Sequence, residues 1–197
     1  MIKLLKPTVF IACLLPFAWL VYATVTNTLG PDPAEGIMHV TGEWSLRILL
    51  LTLAISPLRK FTGWRWPMTV RRMLGLYAFF YASVHLATFG HFYVGWTGAI
   101  LLEELIERPY ITVGSLALLL MLPLAVTSTR KMQRRLGRNW RKLHSAVYPA
   151  AMLACLHLLW QARSDLGEPI LYSVLLFMLL LWRLPVYSAR RSNAVSG

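Results

Sequence analysis

Apolar and polar residues fall in long blocks along this chain, without the short periods that mark half-buried helices or strands of a soluble domain. Nearly unbroken apolar runs occupy Thr8 to Thr26, Trp44 to Leu58, Met73 to Tyr93, Tyr110 to Ser128, His144 to Ala162 and Leu171 to Tyr187. A helix crosses a bilayer with about 20 such residues, within a range of roughly 17–25. The pattern therefore predicts an all-α, polytopic bundle of six transmembrane helices, the second span being the shortest. The intervening segments are short, so residues 1–197 read as one membrane domain, with no low-complexity segment and no visible repeat. Residues 1–26 have the basic start of a signal peptide and a possible cleavage point after Ala23. Their apolar core is long for a signal, and a retained anchor is expected.

Composition agrees with the pattern: 57% of residues are hydrophobic, 14% are charged, and the mean hydropathy is +0.55. The net charge of +12 would point to nucleic acid in a soluble protein, but its distribution decides otherwise. Lys3 and Lys6 precede the first span, Arg59, Lys60, Arg65, Arg71 and Arg72 follow the second, seven more basic residues from Arg130 to Lys142 follow the fourth, and Arg183, Arg190 and Arg191 end the chain. All of these fall on one side. The eight acids, Asp32, Glu35, Glu43, Glu103, Glu104, Glu107, Asp165 and Glu168, fall on the other. Basic loops stay in the cytoplasm, so both termini are expected there, in a multi-pass protein of a bacterial inner membrane. The basic loops are expected to meet anionic lipid headgroups, with no nucleic acid.

Ionisable residues within a span are costly and are functional candidates for that reason. His85 lies deep in the third span and His157 deep in the fifth, while His144 opens the fifth and His39 and His91 lie near the outer boundary. The third and fifth spans run in the same direction, so distance from their basic starts measures depth. His85 follows Arg72 by thirteen residues and His157 follows Lys142 by fifteen, which puts both about 20 Å into the membrane. Two imidazoles at one level on separate helices are what six-coordinate haem iron asks for, one on each face of a flat macrocycle. Gly75, Ala78 and Ala82 share the His85 face and Ala150 and Ala154 the His157 face, which would leave room for the ring; ordinary small-residue helix packing explains these residues equally well.

Other chemistries fit less well. Cys13 and Cys155 are both mid-span and unsuited to a disulfide, and no CxxCH is present, so a haem would be held without thioether bonds. Cys155 lies two residues from His157 and on another helical face, so a zinc site lacks ligands at this depth. His144 is about 140° from His157 around an ideal helix, a phase that a kink at Pro149 can alter. A second haem would need a partner at the inner end of the third span, where Arg71 and Arg72 stand. Those arginines are candidates for haem propionates or an anionic flavin, against the commoner use of snorkelling to lipid.

Segments along nearly the whole chain carry a resemblance: LGPDPAEGIMHVTG at 29–42, SPLR at 56–59, RRMLGL at 71–76, HL at 85–86, RPYITVG at 108–114, LAVTS at 124–128, LGRNWRKLHSAVY at 136–148 and HLLW at 157–160. In this order they resemble the haem-binding membrane subunits of bacterial periplasmic methionine sulfoxide reductase systems, within the ferric-reductase-like transmembrane superfamily. The resemblance implies b-type haem held among His85, His144 and His157, and electron delivery to a periplasmic molybdopterin methionine sulfoxide reductase, MsrP. It also implies quinol as donor and an FMN whose ligands the sequence does not place. Relatives that accept hydride carry a flavin and nicotinamide domain after the last span, and this chain stops ten residues after Tyr187. Electrons are therefore expected from quinol or from a separate cytoplasmic flavin reductase, in an electron-transfer subunit with no catalytic residue of its own. Two other classes stay open at this point: a small transporter or proton channel with an intramembrane histidine relay, and a structural anchor for a partner.

Overall fold

The computed structural model describes residues 2–162 and 165–183, and within them the chain is helical, with no strand. Among the described residues nine α-helices follow in order: α1 (Ile2–Val25), α2 (Pro33–Thr62), α3 (Arg71–Phe89), α4 (Gly98–Glu107), α5 (Pro109–Val126), α6 (Arg130–Leu136), α7 (Arg138–His144), α8 (Val147–Gln161) and α9 (Gly167–Leu181). Four stretches are long and apolar enough to cross a membrane, Leu4–Val25, Arg71–Val94, Pro109–Val126 and Arg138–Gln161. The end of the predicted sixth span, 184–187, lies outside the described residues, as do Arg190 and Arg191.

The short second apolar run belongs to a helix twice its length. Asp32 caps α2 by accepting from the Glu35 N–H at 3.0 Å, Pro33 opens its first turn, and Gly63, at φ 70°, closes it with an N–H bonded to the Arg59 carbonyl. The N-terminal half of α2 carries Glu35, His39, Glu43 and Arg47, and its C-terminal half buries Ile48, Leu49 and Leu53. Charge in the N-terminal half is what shortens the apolar run. It has a structural use, since the Arg47 guanidinium contacts Glu43 at 2.9 Å and Glu168 at 3.4 Å and donates to the Tyr172 hydroxyl at 2.7 Å, joining α2 to α9.

Two helix pairs, α2 with α3 and α5 with α8, make the most extensive contacts, and α9 closes the core they share. That core holds Leu49 and Leu53 from α2, Ala78 and Tyr81 from α3, Met121 from α5, Ala150 and Cys155 from α8, and Tyr172 and Leu176 from α9. Among lipid tails, apolar burial drives little, so close packing of small residues and interhelical hydrogen bonds hold such helices together. Ala78 and Ala150 are fully buried, and the Ala78 carbonyl accepts from the Ser45 hydroxyl of α2 at 2.9 Å. The small residues at 75 and 78 thus bring α3 against α2; Gly75 faces Thr52 of that helix. Tyr81, fully buried, sends its hydroxyl into the backbone ladder of α1: it donates to the Cys13 carbonyl at 2.8 Å and accepts from the Phe17 N–H at 3.0 Å. The hydroxyl thus bonds both members of one i, i+4 backbone pair of α1 and ties α3 to that helix. Cys13 and Cys155 are both buried and free.

The fifth predicted span is broken near its N-terminal end. The α7 helix stops at His144 and α8 starts at Val147, because Pro149 lacks an N–H and its ring crowds the carbonyl four residues earlier, at Ser145. The short segment between the third and fourth predicted spans forms helix α4, and α3 is prolonged by a π-helical turn at Gly90–Val94.

Candidate functional site

Four helices bring His85 and His157 together. His85 projects from α3 against α2, and His157 from α8 against α5. Their ring centres stand 6.2 Å apart with planes at 84°. The Nδ1 of His85 lies 3.0 Å from the Met38 carbonyl, with the Thr41 hydroxyl at 3.5 Å, and the Nδ1 of His157 lies 2.7 Å from the Tyr110 carbonyl. A carbonyl only accepts, so each Nδ1 carries the proton and each Nε2 keeps its lone pair for a metal.

The spacing fits one iron between the rings. A metal–imidazole bond of about 2.0 Å and about 1.1 Å from ring nitrogen to ring centre, taken on each side, separate two axial rings by about 6.2 Å. No cluster of three or more His, Cys, Asp or Glu side chains forms a metal site among the described residues. A pair without further protein ligands suits a macrocycle, which brings its own four nitrogens, and does not suit a protein-only zinc or iron site.

The other predicted site residues are placed apart from this pair. His144 ends α7, stacked on Trp140 with ring centres 3.9 Å apart and with its Nδ1 3.2 Å from the Trp140 carbonyl. Arg71 is half-buried at the N-terminal end of α3, within electrostatic reach of Arg183, Tyr148 and His144, and Arg72 is exposed. Arg183 donates to the Tyr148 hydroxyl and, at 2.7 Å, to the Leu53 carbonyl. His39 pairs with Glu43 at 3.0 Å, and His91 packs edge-on against Phe92. Cys155 points its sulfur to the Tyr172 carbonyl at 4.0 Å.

Residue-by-residue reading missed the groups that hold the two imidazoles. Met38 and His85 are 47 residues apart, and so are Tyr110 and His157. In both pairs a glycine four residues after the carbonyl, Gly42 or Gly114, lies against the imidazole. The second set follows the first by 72 positions, and Ala78, Ala82 and Leu86 match Ala150, Ala154 and Leu158 at the same offset. The α2–α3 and α5–α8 pairs are therefore two copies of one arrangement, which corrects the reading of a chain without repeats. Identities this sparse leave no visible repeat in the sequence; the shared spacing was the available signal. The likeness fails at the inner end, where Arg72 occupies the position that corresponds to His144.

Comparison with known proteins places the chain in a family. The profile of the ferric reductase like transmembrane component family matches residues 41–155. A protein of Xanthomonas euvesicatoria pv. vesicatoria (strain 85-10), named protein-methionine-sulfoxide reductase heme-binding subunit MsrQ, is 49% identical over 96% of this chain and 90% of its own length. A protein of the same name from Herminiimonas arsenicoxydans is 43% identical over 100% of this chain and 92% of its own. No solved structure matches the chain. With the match of the family profile and relatives this close over nearly their full length, the chain belongs to the ferric reductase like transmembrane family and, within it, to the MsrQ proteins.

Proposed function

We propose that this chain is the haem b-binding membrane subunit that passes electrons to a periplasmic molybdopterin methionine sulfoxide reductase, the MsrP partner. The observation that carries the reading is the 6.2 Å separation of the His85 and His157 rings, the spacing of two imidazoles on one iron. The haem, when bound, supplies a one-electron ferric/ferrous couple. His85 and His157 hold it through Nε2, and the Met38 and Tyr110 carbonyls fix their tautomers and orientation. Arg71, half-buried where Arg72 is exposed, is the better placed of the two for an anionic edge of a cofactor, a haem propionate or the phosphate of an FMN. His144 has its Nδ1 beside the Trp140 carbonyl, and the Leu124 carbonyl also bonds its ring, so His144 is less open to a metal than the His85 and His157 pair.

The topology that goes with this reading is six spans with both termini in the cytoplasm of a bacterial inner membrane. Segregation of the acids from the basic loops supports it. Quinol in the membrane is the donor we favour, with a cytoplasmic flavin reductase as the second possibility. Purification in detergent followed by absorption spectroscopy tests the proposal. A Soret band with b-type peaks that sharpen on reduction is expected. A folded, colourless protein that takes up no added haem would overturn it and favour a histidine proton relay.

A further inference from the structure

The two histidines of the pair are seated in the same way. An ideal Cβ built on Gly114 would stand 2.8 Å from Nδ1 of His157 and 3.0 Å from its Cγ and Cε1, closer than side chains pack. On Gly42 it would stand 3.1 Å from both Nδ1 and Cε1 of His85. Gly75, also within a helix of this bundle, differs: its Cβ would meet only Thr52 Cγ2, at an ordinary 3.8 Å. A glycine in a helix interior costs about 1 kcal/mol relative to alanine. At 42 and 114 the ring contact accounts for that cost.

We propose that Gly42 and Gly114 are matched positioning residues for the two haem-ligating histidines, each baring one turn of helix so that an imidazole can lie against it and reach the carbonyl four residues earlier. The inference rests on the haem reading above. In helix geometry that carbonyl already accepts the N–H of the glycine itself. Its second lone pair is free for the imidazole Nδ1–H. The bond fixes the ring plane and raises the basicity of Nε2, and so favours ferric iron over ferrous. The two seats are not equal. On α2 the Thr41 hydroxyl, whose shorter bond of 2.7 Å goes to the Ile37 carbonyl, also lies 3.1 Å from the Met38 carbonyl, and the α5 position corresponding to Thr41 is Val113, which has no hydroxyl. The His157 bond is the shorter, at 2.7 Å against 3.0 Å, and its glycine the more tightly covered.

The test compares Gly42→Ala, Gly114→Ala and Gly75→Ala in the full-length chain, reconstituted in lipid nanodiscs. In haem-free protein, ¹⁵N-histidine NMR should show His85 and His157 protonated at Nδ1. Gly114→Ala should move the His157 resonances alone, Gly42→Ala those of His85 alone and by less, and Gly75→Ala neither. In haem-loaded protein, the first two variants should change the low-spin EPR g-values and shift the reduction equilibrium toward ferrous iron, with haem held about tenfold more weakly in Gly114→Ala. Unchanged His157 resonances in a folded Gly114→Ala variant, or equal shifts in Gly75→Ala, would overturn the proposal. Should Gly114→Ala not fold, Gly42→Ala decides, because a 3.1 Å contact can be relieved by a small ring movement; unchanged His85 resonances then reject the assignment. A wild type that binds no haem removes the haem reading, while the NMR comparison still decides whether the glycines seat the rings.

Discussion

His85 and His157 face each other edge to face, ring centres 6.2 Å apart and planes at 84°, although 72 positions separate them in the chain. Were both imidazoles to bind one iron in these nearly perpendicular planes, its dxz and dyz orbitals would lie close in energy. The low-spin ferric EPR signal of the haem-loaded protein should therefore be of the highly anisotropic type. His85→Ala and His157→Ala should each abolish it, since one axial nitrogen leaves the iron five-coordinate at best. His39→Ala should keep it, because His39 pairs with Glu43 and takes no part in the ring contact. A normal bis-histidine spectrum from His157→Ala would show that the pairing is wrong; expression level controls for the void that alanine leaves.

Removal of the haem should loosen the bundle. A ligand that binds only the folded state stabilises it by about 2.7 kcal/mol at a hundred times its dissociation constant. Haem-free protein is thus expected to melt earlier than loaded protein, and the α3 and α8 amides around residues 85 and 157 should exchange faster. Identical thermal transitions with and without haem would contradict this.

The inserted Tyr81 hydroxyl offers a test of the packing. In Tyr81→Phe the Cys13 carbonyl and the Phe17 N–H lose their bridging partner inside the membrane. Interhelical hydrogen bonds in membranes average about 0.6 kcal/mol and reach about 1.7. We expect a loss of about 1 kcal/mol in unfolding measurements in mixed micelles, with the haem spectrum unchanged. A spectral change would mean that the α1 anchor also shapes the histidine pair.

Topology is open to a direct test. A reporter active only outside the cytoplasm should be silent when fused after Arg191 and active when placed in the Trp96 to Glu107 segment. Activity at the C-terminus would overturn the six-span arrangement.

The acidic residues of helix α4 are expected to form a docking face for a periplasmic partner. Glu104 is committed to Arg108 at 3.2 Å, while Glu103 and Glu107 are exposed. Reversing Glu103 and Glu107 to lysine should therefore slow haem reoxidation by the purified reductase nearly as much as reversing all three acids, and weaken its salt dependence. Reduction by quinol should be unaffected. Equal reoxidation rates in wild type and variant at low salt would remove α4 from the docking surface.

Hydropathy and charge along the chain were enough to set the class of the protein and to pair its two key histidines. Apolar runs of bilayer length require helices, because a lipid-embedded backbone must satisfy its own hydrogen bonds. Distance from the basic helix starts then sets depth at about 1.5 Å per residue, and that count alone matches His85 with His157. Rotation about each helix and the choice of neighbours do not follow from the same pattern, since lipid-facing and core-facing residues are equally apolar. It took the packed helices to reveal that α2 and α5 seat the two imidazoles, through Met38 and Gly42 on one side and Tyr110 and Gly114 on the other. Packing likewise sets Gly75 and Ala78 of α3 against α2, and the fifth span breaks at Ser145 under the ring of Pro149. Each of these depends on which backbone surface approaches which, and a carbonyl or a missing Cβ has no signature in hydropathy until another helix is laid against it.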